Sequence, residues 1–276
     1  MDSNNILFSI ITVNLNHGEG LEKTITSVRC QTFGNYELII IDGNSKDNSF
    51  EIINNNLDII SYYVSEEDEG IYDAMNKGLE KAAGDFVIFL NSGDYFNDND
   101  VLNVTKTAVG KLDSVYFGSA KIMNDYGAYF LYPKLEISDY EIDNFIKYRL
   151  PHHQAMFFPK IFYFNERYNI NYINYGDEDY KIRAIKKYGY IYIKKIIVTF
   201  MLGGFSIPSS FKKTIRMSGE RLKIEKRNNI FSHKRYILFL ITLLLKYFMY
   251  LLIGNNTYKI MVYYNNVRIK INRLFK

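Results

Sequence analysis

The stretch Phe86-Val-Ile-Phe-Leu-Asn-Ser-Gly-Asp94 decides the fold. Its first five residues form a continuous apolar run of the length of one buried strand. Its last four residues form a polar turn that ends in a carboxylate. An uninterrupted apolar strand is typical of a parallel sheet that is covered by helices on both faces. The sequence therefore predicts an α/β protein with a mostly parallel central sheet flanked by helices.

The residues before this stretch support the same architecture, because strand and helix patterns alternate along them. The predicted strands are residues 6–14, 37–41 and 61–65, and the predicted helices are residues 20–31, 49–55 and 70–83. Polar residues follow the strands at 14–16, 42–45, 66–68 and 91–94. Ligands of such sheets bind at the carboxyl ends of the strands. We therefore expect a binding site along this polar rim.

The pattern changes after about residue 110. A hairpin is predicted between residues 115–120 and 129–132, and further helices are predicted at 139–146 and 177–187. We divide the chain accordingly into residues 1–110, residues 111–211 and a basic, apolar helical tail over residues 212–276.

The charge of the chain is distributed unevenly. The net charge is +4 at pH 7, but residues 212–276 contain 15 Lys and Arg against 2 Asp and Glu, a net charge of +13, which leaves −9 for residues 1–211. Residues 236–253 of the tail are apolar except for Thr242 and Lys246. We expect this segment to lie on a membrane surface with its cations against anionic headgroups. A helix packed on the protein's own core or in a dimer interface is the alternative.

Three classes of protein are disfavoured by composition. The single cysteine, Cys30, excludes an internal disulfide and a cysteine-based zinc site. Residues 1–5 are polar and precede a run of only strand length, which is not the pattern of a secretory signal. The acidic body argues against nucleic-acid binding. We therefore predict a cytoplasmic protein that is peripheral on the inner face of the cell membrane.

Acidic residues at three of the strand ends on the rim carry candidate chemistry. Asp94 suits Mg²⁺ or Mn²⁺, which prefer carboxylate oxygens, and Gly93 lets the backbone approach a diphosphate. An ordinary turn is the alternative for both residues. Asp42 is placed to accept hydrogen bonds from a base or ribose. Asp68 precedes a helix that starts at Gly70, whose N-terminus suits phosphate or ribose groups, although helix capping also explains Asp68.

Another acidic group, residues 177–179, lies in the second half of the chain. Asp177 begins three consecutive acids at a helix start and is placed to remove a proton from an acceptor hydroxyl. Stabilisation of the helix dipole is the alternative explanation. His152 and His153 are adjacent in the sequence, so their side chains should point to opposite sides. We therefore expect at most one of them to face a site.

In this order, the segments resemble the inverting nucleotide-sugar glycosyltransferases of family two, which have the GT-A fold. The resemblance covers roughly residues 6–207, with its segments at 8–16, 31–33, 37–47, 68–78, 90–94, 153–154, 177–183 and 203–206. The run Gly70-Ile-Tyr-Asp-Ala-Met-Asn-Lys-Gly78 looks like the subgroup of bacterial enzymes that build surface polysaccharides.

The resemblance implies transfer of a sugar from a nucleotide-diphosphate donor, which we expect to be UDP-linked, to a hydroxyl of a glycan or lipid-linked acceptor. It assigns Asp94 to Mn²⁺ or Mg²⁺ and Asp177 to the catalytic base. Residues 1–110 then bind the donor and residues 111–211 the acceptor. The expected donor contacts are Val13, Asn16, Asp42, Asp68, Lys77, Asn91, Ser92 and Gly93. The expected further substrate contacts are His153, Gln154, Glu178 and Asp179.

The sequence differs from the usual family pattern at two positions, and two other functions are alternatives. Gly43 and Gly93 each stand where the family often has an aspartate, so the site has fewer carboxylates than is usual. A sugar nucleotidyltransferase is one rival, although residues 14–20 lack the Gly-rich, basic loop typical of such enzymes. The other rival is an inactive scaffold in a membrane glycan assembly complex.

Overall fold

The chain folds around one mixed β-sheet. The computed structural model describes residues 6–124, 126–202 and 211–229, together with the single positions 237, 240, 241 and 244. The strands are β1 (Phe8–Asn14), β2 (Tyr36–Asp42), β3 (Ile60–Ser65), β4 (Phe86–Phe89), β5 (Tyr95–Phe96), β6 (Val115–Met123), β7 (Tyr129–Tyr132), β8 (Met156–Pro159) and β9 (Tyr190–Met201). The helices are α1 (Gly18–Arg29), α2 (Ser49–Asn55), α3 (Ile71–Lys81), α4 (Val101–Ala108), α5 (Asp139–Tyr148), α6 (Lys160–Tyr163), α7 (Gly176–Tyr188) and α8 (Phe211–Arg227), and a 3-10 turn spans His153–Ala155.

The first half of the sheet is parallel, as predicted. Strands β3, β2, β1 and β4 lie side by side in that order, and each adjacent pair runs in parallel. Their apolar runs are continuous because both faces are buried. Ile10 of β1 packs into the core that also holds residues of α1, α2 and α4, whereas Ile11 packs into the core that holds residues of α3, α6 and α7.

The second half of the sheet is mixed. Strand β8 pairs antiparallel with β4 and β6, and β6 pairs antiparallel with β7 and parallel with β9. The hairpin of β6 and β7 confirms the predicted one, but β5, β8 and the 12-residue β9 were not predicted. The sheet crosses residue 110 without a break, so strands from both sides of the predicted boundary share one sheet.

The predicted helices are present with small shifts at their ends. Helix α3 begins after Gly70, whose φ of +122° is in the region that favours glycine. Helix α5 begins with a capping box, in which Ser138 Oγ accepts from the Glu141 amide at 3.4 Å and Glu141 Oε2 accepts from the Ser138 amide at 2.9 Å. Helix α7 covers the predicted segment and starts one residue before Asp177.

The basic tail starts with α8, which buries Met217, Glu220 and Ile224. Residues 236–253 lie outside the described part of the chain except for four positions, which are helical and exposed: Ile237, Leu240, Ile241 and Leu244. Residues 203–206, part of the family resemblance, also lie outside it. Within the described ranges, no helix is both long enough and apolar enough to cross a membrane.

Candidate active site

The turn after β4 is held in place from α1. Gly93 has a φ of +95°, a conformation that a side chain would disfavour. Its amide donates to Thr24 Oγ1 at 3.0 Å, and that hydroxyl donates to the carbonyl of Asp94 at 2.7 Å. Thr24 is fully buried on α1. The backbone around Asp94 is therefore fixed by a side chain 70 residues earlier in the chain.

The Asp94 carboxylate is buried and contacts neutral donors. Gln154 Nε2 donates to Oδ2 at 2.5 Å, and the Met201 amide donates to Oδ1 at 2.9 Å. Only 6% of the residue is exposed. Burial raises the pKa of Asp94 to about 7, although both hydrogen bonds and the more distant Lys23 ammonium act in the opposite direction. A cation bound next to this buried carboxylate would stabilise its ionised form.

Asn91 offers a second oxygen at the end of β4. The backbone amide of Asn91 donates to Gln154 Oε1 at 2.7 Å, so the Gln154 side chain bridges the Asn91 backbone and the Asp94 carboxylate. Asn91 Oδ1 is buried without a hydrogen-bond partner among the described residues. Amide and carboxylate oxygens, such as those of Asn91 and Asp94 in this turn, are ligand types that Mg²⁺ and Mn²⁺ accept. Within the described ranges, no group of three or more His, Cys, Asp or Glu side chains is arranged to hold a metal, so phosphate and water would have to complete the coordination.

The Asp42 carboxylate is occupied within the protein. Oδ1 accepts from Asn14 Nδ2 at 2.7 Å and Ser45 Oγ at 2.5 Å, and Oδ2 accepts from the Ser45 amide at 3.0 Å and Ser65 Oγ at 2.6 Å. The residue is 1% exposed. Asp42 therefore ties together the ends of β1, β2 and β3 and shapes the turn that follows β2.

Asp68 fills the space beside Gly43. A Cβ atom on Gly43 would lie 2.8 Å from Asp68 Oδ2, while Asp68 Oδ1 accepts from the Gly70 amide at 2.8 Å. The missing aspartate at position 43 thus leaves room for a carboxylate that comes from the end of β3. Asp68 is only partly buried, so this carboxylate reaches the surface of the rim.

The remaining predicted donor contacts lie around the same edge. Asn16, with a φ of 50°, is exposed; its amide donates to Ser45 Oγ at 2.7 Å. The Val13 carbonyl accepts from the Ser92 amide at 3.1 Å. Lys77 is engaged by Glu66 Oε1 at 2.8 Å and the Glu67 carbonyl at 2.9 Å, and Glu66 is the first cause of the rise in its pKa. Val13 and Ser92 therefore lie beside Gly93, Asn16 lies beside the turn that follows β2, and Lys77 lies beside the residues that follow β3.

The rim also contains an imidazole, that of His17, which was not predicted from the sequence. His17 Nδ1 lies 3.3 Å from the Ser92 carbonyl, and Ser92 Oγ donates to the His17 carbonyl at 3.0 Å. A Cβ atom on Gly20 or on Gly93 would come within 2.3 Å or 2.5 Å of the ring. The two glycines therefore make the space that the exposed His17 ring occupies. The sequence signal was a histidine directly after a strand-end turn.

Asp177 lies at the start of α7 beside a cation. Its Oδ2 is 2.9 Å from Lys181 Nζ, and its Oδ1 accepts from Tyr72 OH at 3.4 Å. Burial alone would raise the pKa of Asp177, but the Lys181 ammonium and its hydrogen bond hold it below the ordinary value. Gly176 permits this approach, since a Cβ there would lie 2.8 Å from the Tyr72 ring.

Tyr72 and Asn76 explain why the α3 segment is distinctive. The Tyr72 ring stacks on Tyr168 with 5.6 Å between centroids, and Asn76 pairs with the Tyr168 backbone through two hydrogen bonds of 3.0 Å and 2.8 Å. Tyr168 OH is 2.5 Å from His153 Nε2. These α3 residues connect His153 to Asp177, a role that the sequence analysis did not predict.

The two histidines are interior residues. His153 stacks on Phe89 at 4.9 Å, and burial lowers its pKa to about 4. Burial also lowers the pKa of His152 to about 3, and its ring packs against Phe200 at 4.5 Å. Both imidazoles are therefore neutral at physiological pH.

Glu178 and Asp179 face α8 and the interior. Glu178 Oε2 is 3.5 Å from Arg221 Nε, and burial raises its pKa. Asp179 is 1% exposed and accepts from Arg183 Nε at 2.9 Å and Asn228 Nδ2 at 3.1 Å. Of the three consecutive acids, Asp177 alone contacts the α3 side of the site.

Residues 151–154 connect the two candidate carboxylates. Lys181 Nζ, the partner of Asp177, also donates to the Pro151 carbonyl at 3.3 Å. Three residues later, Gln154 donates to Asp94. The rim at the carboxyl end of β4 and the start of α7 are therefore linked through one short segment.

Comparison with solved structures defines the class of fold. The chain aligns with S. aureus TarS (residues 1–349) in complex with UDP-GlcNAc with a TM-score of 0.60 and 17% identity, over 78% of this chain and 66% of that one. It aligns with a mannosyltransferase from Pyrobaculum calidifontis in complex with GDP-Man and Mn²⁺ with a TM-score of 0.59 and 14% identity, over 83% and 66%. The chain has the GT-A type of fold.

Comparison of sequences then gives the family. Residues 9–177 match the model of glycosyl transferase family 2, and the chain belongs to this family. A glycosyltransferase of Mycobacterium tuberculosis is 42% identical over 95 residues, a match that spans 34% of this chain and 36% of that relative. A PGL/p-HBAD biosynthesis glycosyltransferase of Mycobacterium bovis is 27% identical over 227 residues, spanning 77% and 85%. The resemblance inferred from the motifs is confirmed.

Proposed function

We propose that this chain transfers a sugar from a nucleotide-diphosphate donor to an acceptor hydroxyl, with inversion at the anomeric carbon. The connection through residues 151–154 carries the proposal, because it joins Asp94 to the Lys181 partner of Asp177. The two carboxylates have opposite pKa shifts. Such a pair suits a division between cation binding and base chemistry.

The donor side of the proposal includes Mn²⁺ or Mg²⁺. Asp94 and the unpartnered Asn91 Oδ1 would hold the cation. When bound, the cation supplies positive charge against the leaving diphosphate. The mannosyltransferase of similar fold was solved with GDP-Man and Mn²⁺, which supports a divalent metal here.

The chemical step is carried by Asp177. Its carboxylate takes the proton of the acceptor hydroxyl as that oxygen bonds to the anomeric carbon. The bond from this carbon to the diphosphate oxygen breaks on the opposite face, and its electron pair leaves with the diphosphate. The products are a glycoside of inverted configuration, a nucleoside diphosphate and a proton on Asp177. Lys181 keeps Asp177 ionised before the reaction.

Donor and acceptor are assigned to different parts of the chain. We assign the nucleoside to Asp68 and the rim residues of 1–110, and a UDP-linked donor is favoured by the TarS complex with UDP-GlcNAc. Asp42 serves by shaping the turn, since its oxygens are already occupied. The acceptor, a glycan or lipid-linked hydroxyl, is assigned to residues 111–211. The run at 70–78, which resembles surface-polysaccharide enzymes, supports this acceptor class.

Attachment to the inner face of the membrane is also proposed for the tail. Ile237, Leu240, Ile241 and Leu244 are helical, exposed and spaced as one apolar face. In the full chain, Leu240→Glu with Leu244→Glu should abolish binding to vesicles that contain anionic lipid. Ile215→Glu, at an exposed position of α8, serves as the control. Unchanged binding of the double variant would contradict the proposal.

The decisive experiment is turnover of a panel of nucleotide sugars in the presence of Mn²⁺. Thermal shift first identifies the donor that binds, and release of nucleoside diphosphate is then measured with wild type and Asp177→Asn. Wild-type release that Asp177→Asn lacks is the expected result. Pyrophosphate release from a nucleoside triphosphate and a sugar phosphate would indicate a nucleotidyltransferase. Absence of turnover for every donor and acceptor tested would favour the scaffold.

A further inference from the structure

A carboxylate on α8 holds the loop that leads into α7. Glu220 Oε1 accepts from three consecutive backbone amides, those of residues 173, 174 and 175, at 3.1, 2.8 and 2.6 Å. Glu220 is 9% exposed. Consecutive amides that converge on one oxygen form an anion-binding arrangement, and here the anion is a side chain of the protein.

These three amides determine where α7 begins. Tyr175 is the residue directly before the helix, and Asp177 is its second residue. Arg221 also lies over the Tyr175 ring, 5.9 Å from its centroid, whereas both polar atoms of the Asn174 side chain are buried without a hydrogen-bond partner among the described residues. Removal of the Glu220 carboxylate would leave three amide donors without this acceptor, and unpaired donors in a partly buried loop favour its rearrangement.

Helix α8 also contacts the first turn of α7. Arg221 pairs with Glu178 at 3.5 Å, and Asn228 Nδ2 donates to Asp179 at 3.1 Å. The Asn228 carbonyl further accepts from Lys186. The first-turn acids other than Asp177 are thus occupied by α8, and Asp177 is left to Lys181 and Tyr72.

We propose that Glu220 is a positioning residue for transfer: it sets the start of α7, and through it the position of the Asp177 carboxylate. The inference rests on the proposed role of Asp177 as base. It assigns a catalytic purpose to the first helix of the basic tail. A carboxylate that only anchored α8 would change stability without a selective effect on turnover.

The test compares four full-length proteins: wild type, Glu220→Ala, Glu220→Gln and Lys223→Ala. Turnover is measured as release of nucleoside diphosphate, with water as acceptor, from whichever of UDP-Glc, UDP-GlcNAc, UDP-Gal and GDP-Man wild type hydrolyses fastest with Mn²⁺. We expect Glu220→Ala to lower kcat about 10- to 100-fold, since small misplacements of catalytic groups have effects of this size. The donor KM should stay unchanged, because the contacts of Glu220 are to the loop before α7 and not to the turn that holds Asp94.

Two further measurements separate positioning from anchoring. Amide hydrogen exchange of a peptide covering residues 173–175 should be faster in Glu220→Ala and unchanged in Lys223→Ala, an exposed position of the same helix. Glu220→Gln keeps an acceptor oxygen and should restore most of kcat. Wild-type kcat in Glu220→Ala, or a loss of kcat and thermal stability that Gln does not restore, would overturn the inference.

The Asp177→Asn protein, assayed in parallel, keeps this test distinct from the proposed function. If Asp177→Asn is inactive and Glu220→Ala is fully active, the Glu220 inference fails alone. If Asp177→Asn retains turnover, the assignment of the base fails, and the Glu220 inference fails with it.

Discussion

The two central aspartates of the site have the same side chain and opposite surroundings. Asp94, at the end of the turn after β4, is buried among neutral donors, and its pKa is raised to about 7 by burial. Asp177, at the start of α7, is also largely enclosed, but the ammonium of Lys181 lies 2.9 Å away and its pKa is lowered. Among the described residues, Asp94 contacts only neutral donors, whereas Asp177 contacts an ammonium of the protein itself.

This difference shows how the environment can divide two tasks between identical residues. In the proposed function Asp94 accepts a cation, because ionisation in a buried site becomes favourable when positive charge arrives. Asp177 stays ionised without any ligand and is available to accept a proton. The predictions that follow alter one side of this comparison at a time.

The largest expected effect is at Asp177. Asp177→Asn removes the proposed base and should lower kcat by about 10²- to 10⁴-fold, the usual contribution of general base catalysis. Donor affinity should change little, since the Asp94 turn is untouched. Steady-state kinetics with titration of the nucleoside diphosphate measures both. Asp139→Asn, the same change in the first turn of α5, should behave as wild type. Retained turnover in Asp177→Asn would sink its role as base.

The next largest effect is at Asp94. Asp94→Ala removes the carboxylate that would hold the cation and should lower kcat by about 10²- to 10³-fold, the scale of lost charge stabilisation at a leaving group. Nucleoside diphosphate affinity should lose its dependence on Mn²⁺, as should wild type after chelation with EDTA. Asp113→Ala, at an exposed position, is the control. Equal Mn²⁺ dependence in wild type and Asp94→Ala would argue against the assignment.

The pH dependence of metal binding tests the raised pKa of Asp94. Its pKa is about 4 when unfolded and about 7 when folded, so the folded state binds the proton more tightly and its contribution to the free energy of unfolding falls as pH rises through this window. Mn²⁺ competes with that proton. The increase in Tm caused by Mn²⁺ should therefore be larger at pH 8 than at pH 6, and Asp94→Asn should show neither increase. An increase that is independent of pH would contradict a proton shared at this site.

Lys181→Met sharpens the comparison from the other side. Without the ammonium, the largest contribution that opposes burial is lost, and the pKa of Asp177 rises. The acidic limb of the profile of kcat/KM against pH should move to higher pH, with donor binding unaffected. Lys187→Met, at a position of α7 whose ammonium lies 4.0 Å from Glu166, should leave the limb in place. If the acidic limb does not move in Lys181→Met, Asp177 is not the group whose titration produces that limb.

The sequence predicted the rim because strand ends can be read locally. The apolar run at 86–90 and the polar turn that follows identified β4 and Asp94, and the acids at 177–179 identified the start of α7. Periodicity shows which residues are buried, but it does not show the direction in which a neighbouring strand runs. The mixed half of the sheet was therefore not predicted, although residues 190–201 of β9 are rich in the β-branched and aromatic residues typical of strands.

Long-range partners account for what the sequence analysis missed at the site. Tyr72 meets Asp177 across 105 positions, and Glu220 meets the amide of Tyr175 across 45. Neither pairing leaves a local signal, since Tyr72 reads as one apolar residue of a helix and Glu220 as one charge in a basic tail. Asp42 shows the converse, because a strand-end acid that looked available for a ligand has both oxygens occupied by neighbouring elements.

The smallest expected effect concerns the hydrogen bond between α3 and the base. Tyr72→Phe keeps the ring that stacks on Tyr168 and removes only the hydroxyl 3.4 Å from Asp177. A bond this long is at the weak end of the range, so kcat should fall by about two- to tenfold, the equivalent of roughly 0.5–1.5 kcal/mol. Tyr126→Phe, at an exposed position, is the control, and kcat at saturating donor is the measurement.

Because Lys181 remains, Asp177 should stay ionised and the acidic limb should move far less than in Lys181→Met. A larger loss of kcat in Tyr72→Phe than in Lys181→Met would mean that the tyrosine hydroxyl affects Asp177 more than the ammonium does. The difference between the two aspartates would then rest on hydrogen bonding instead of charge.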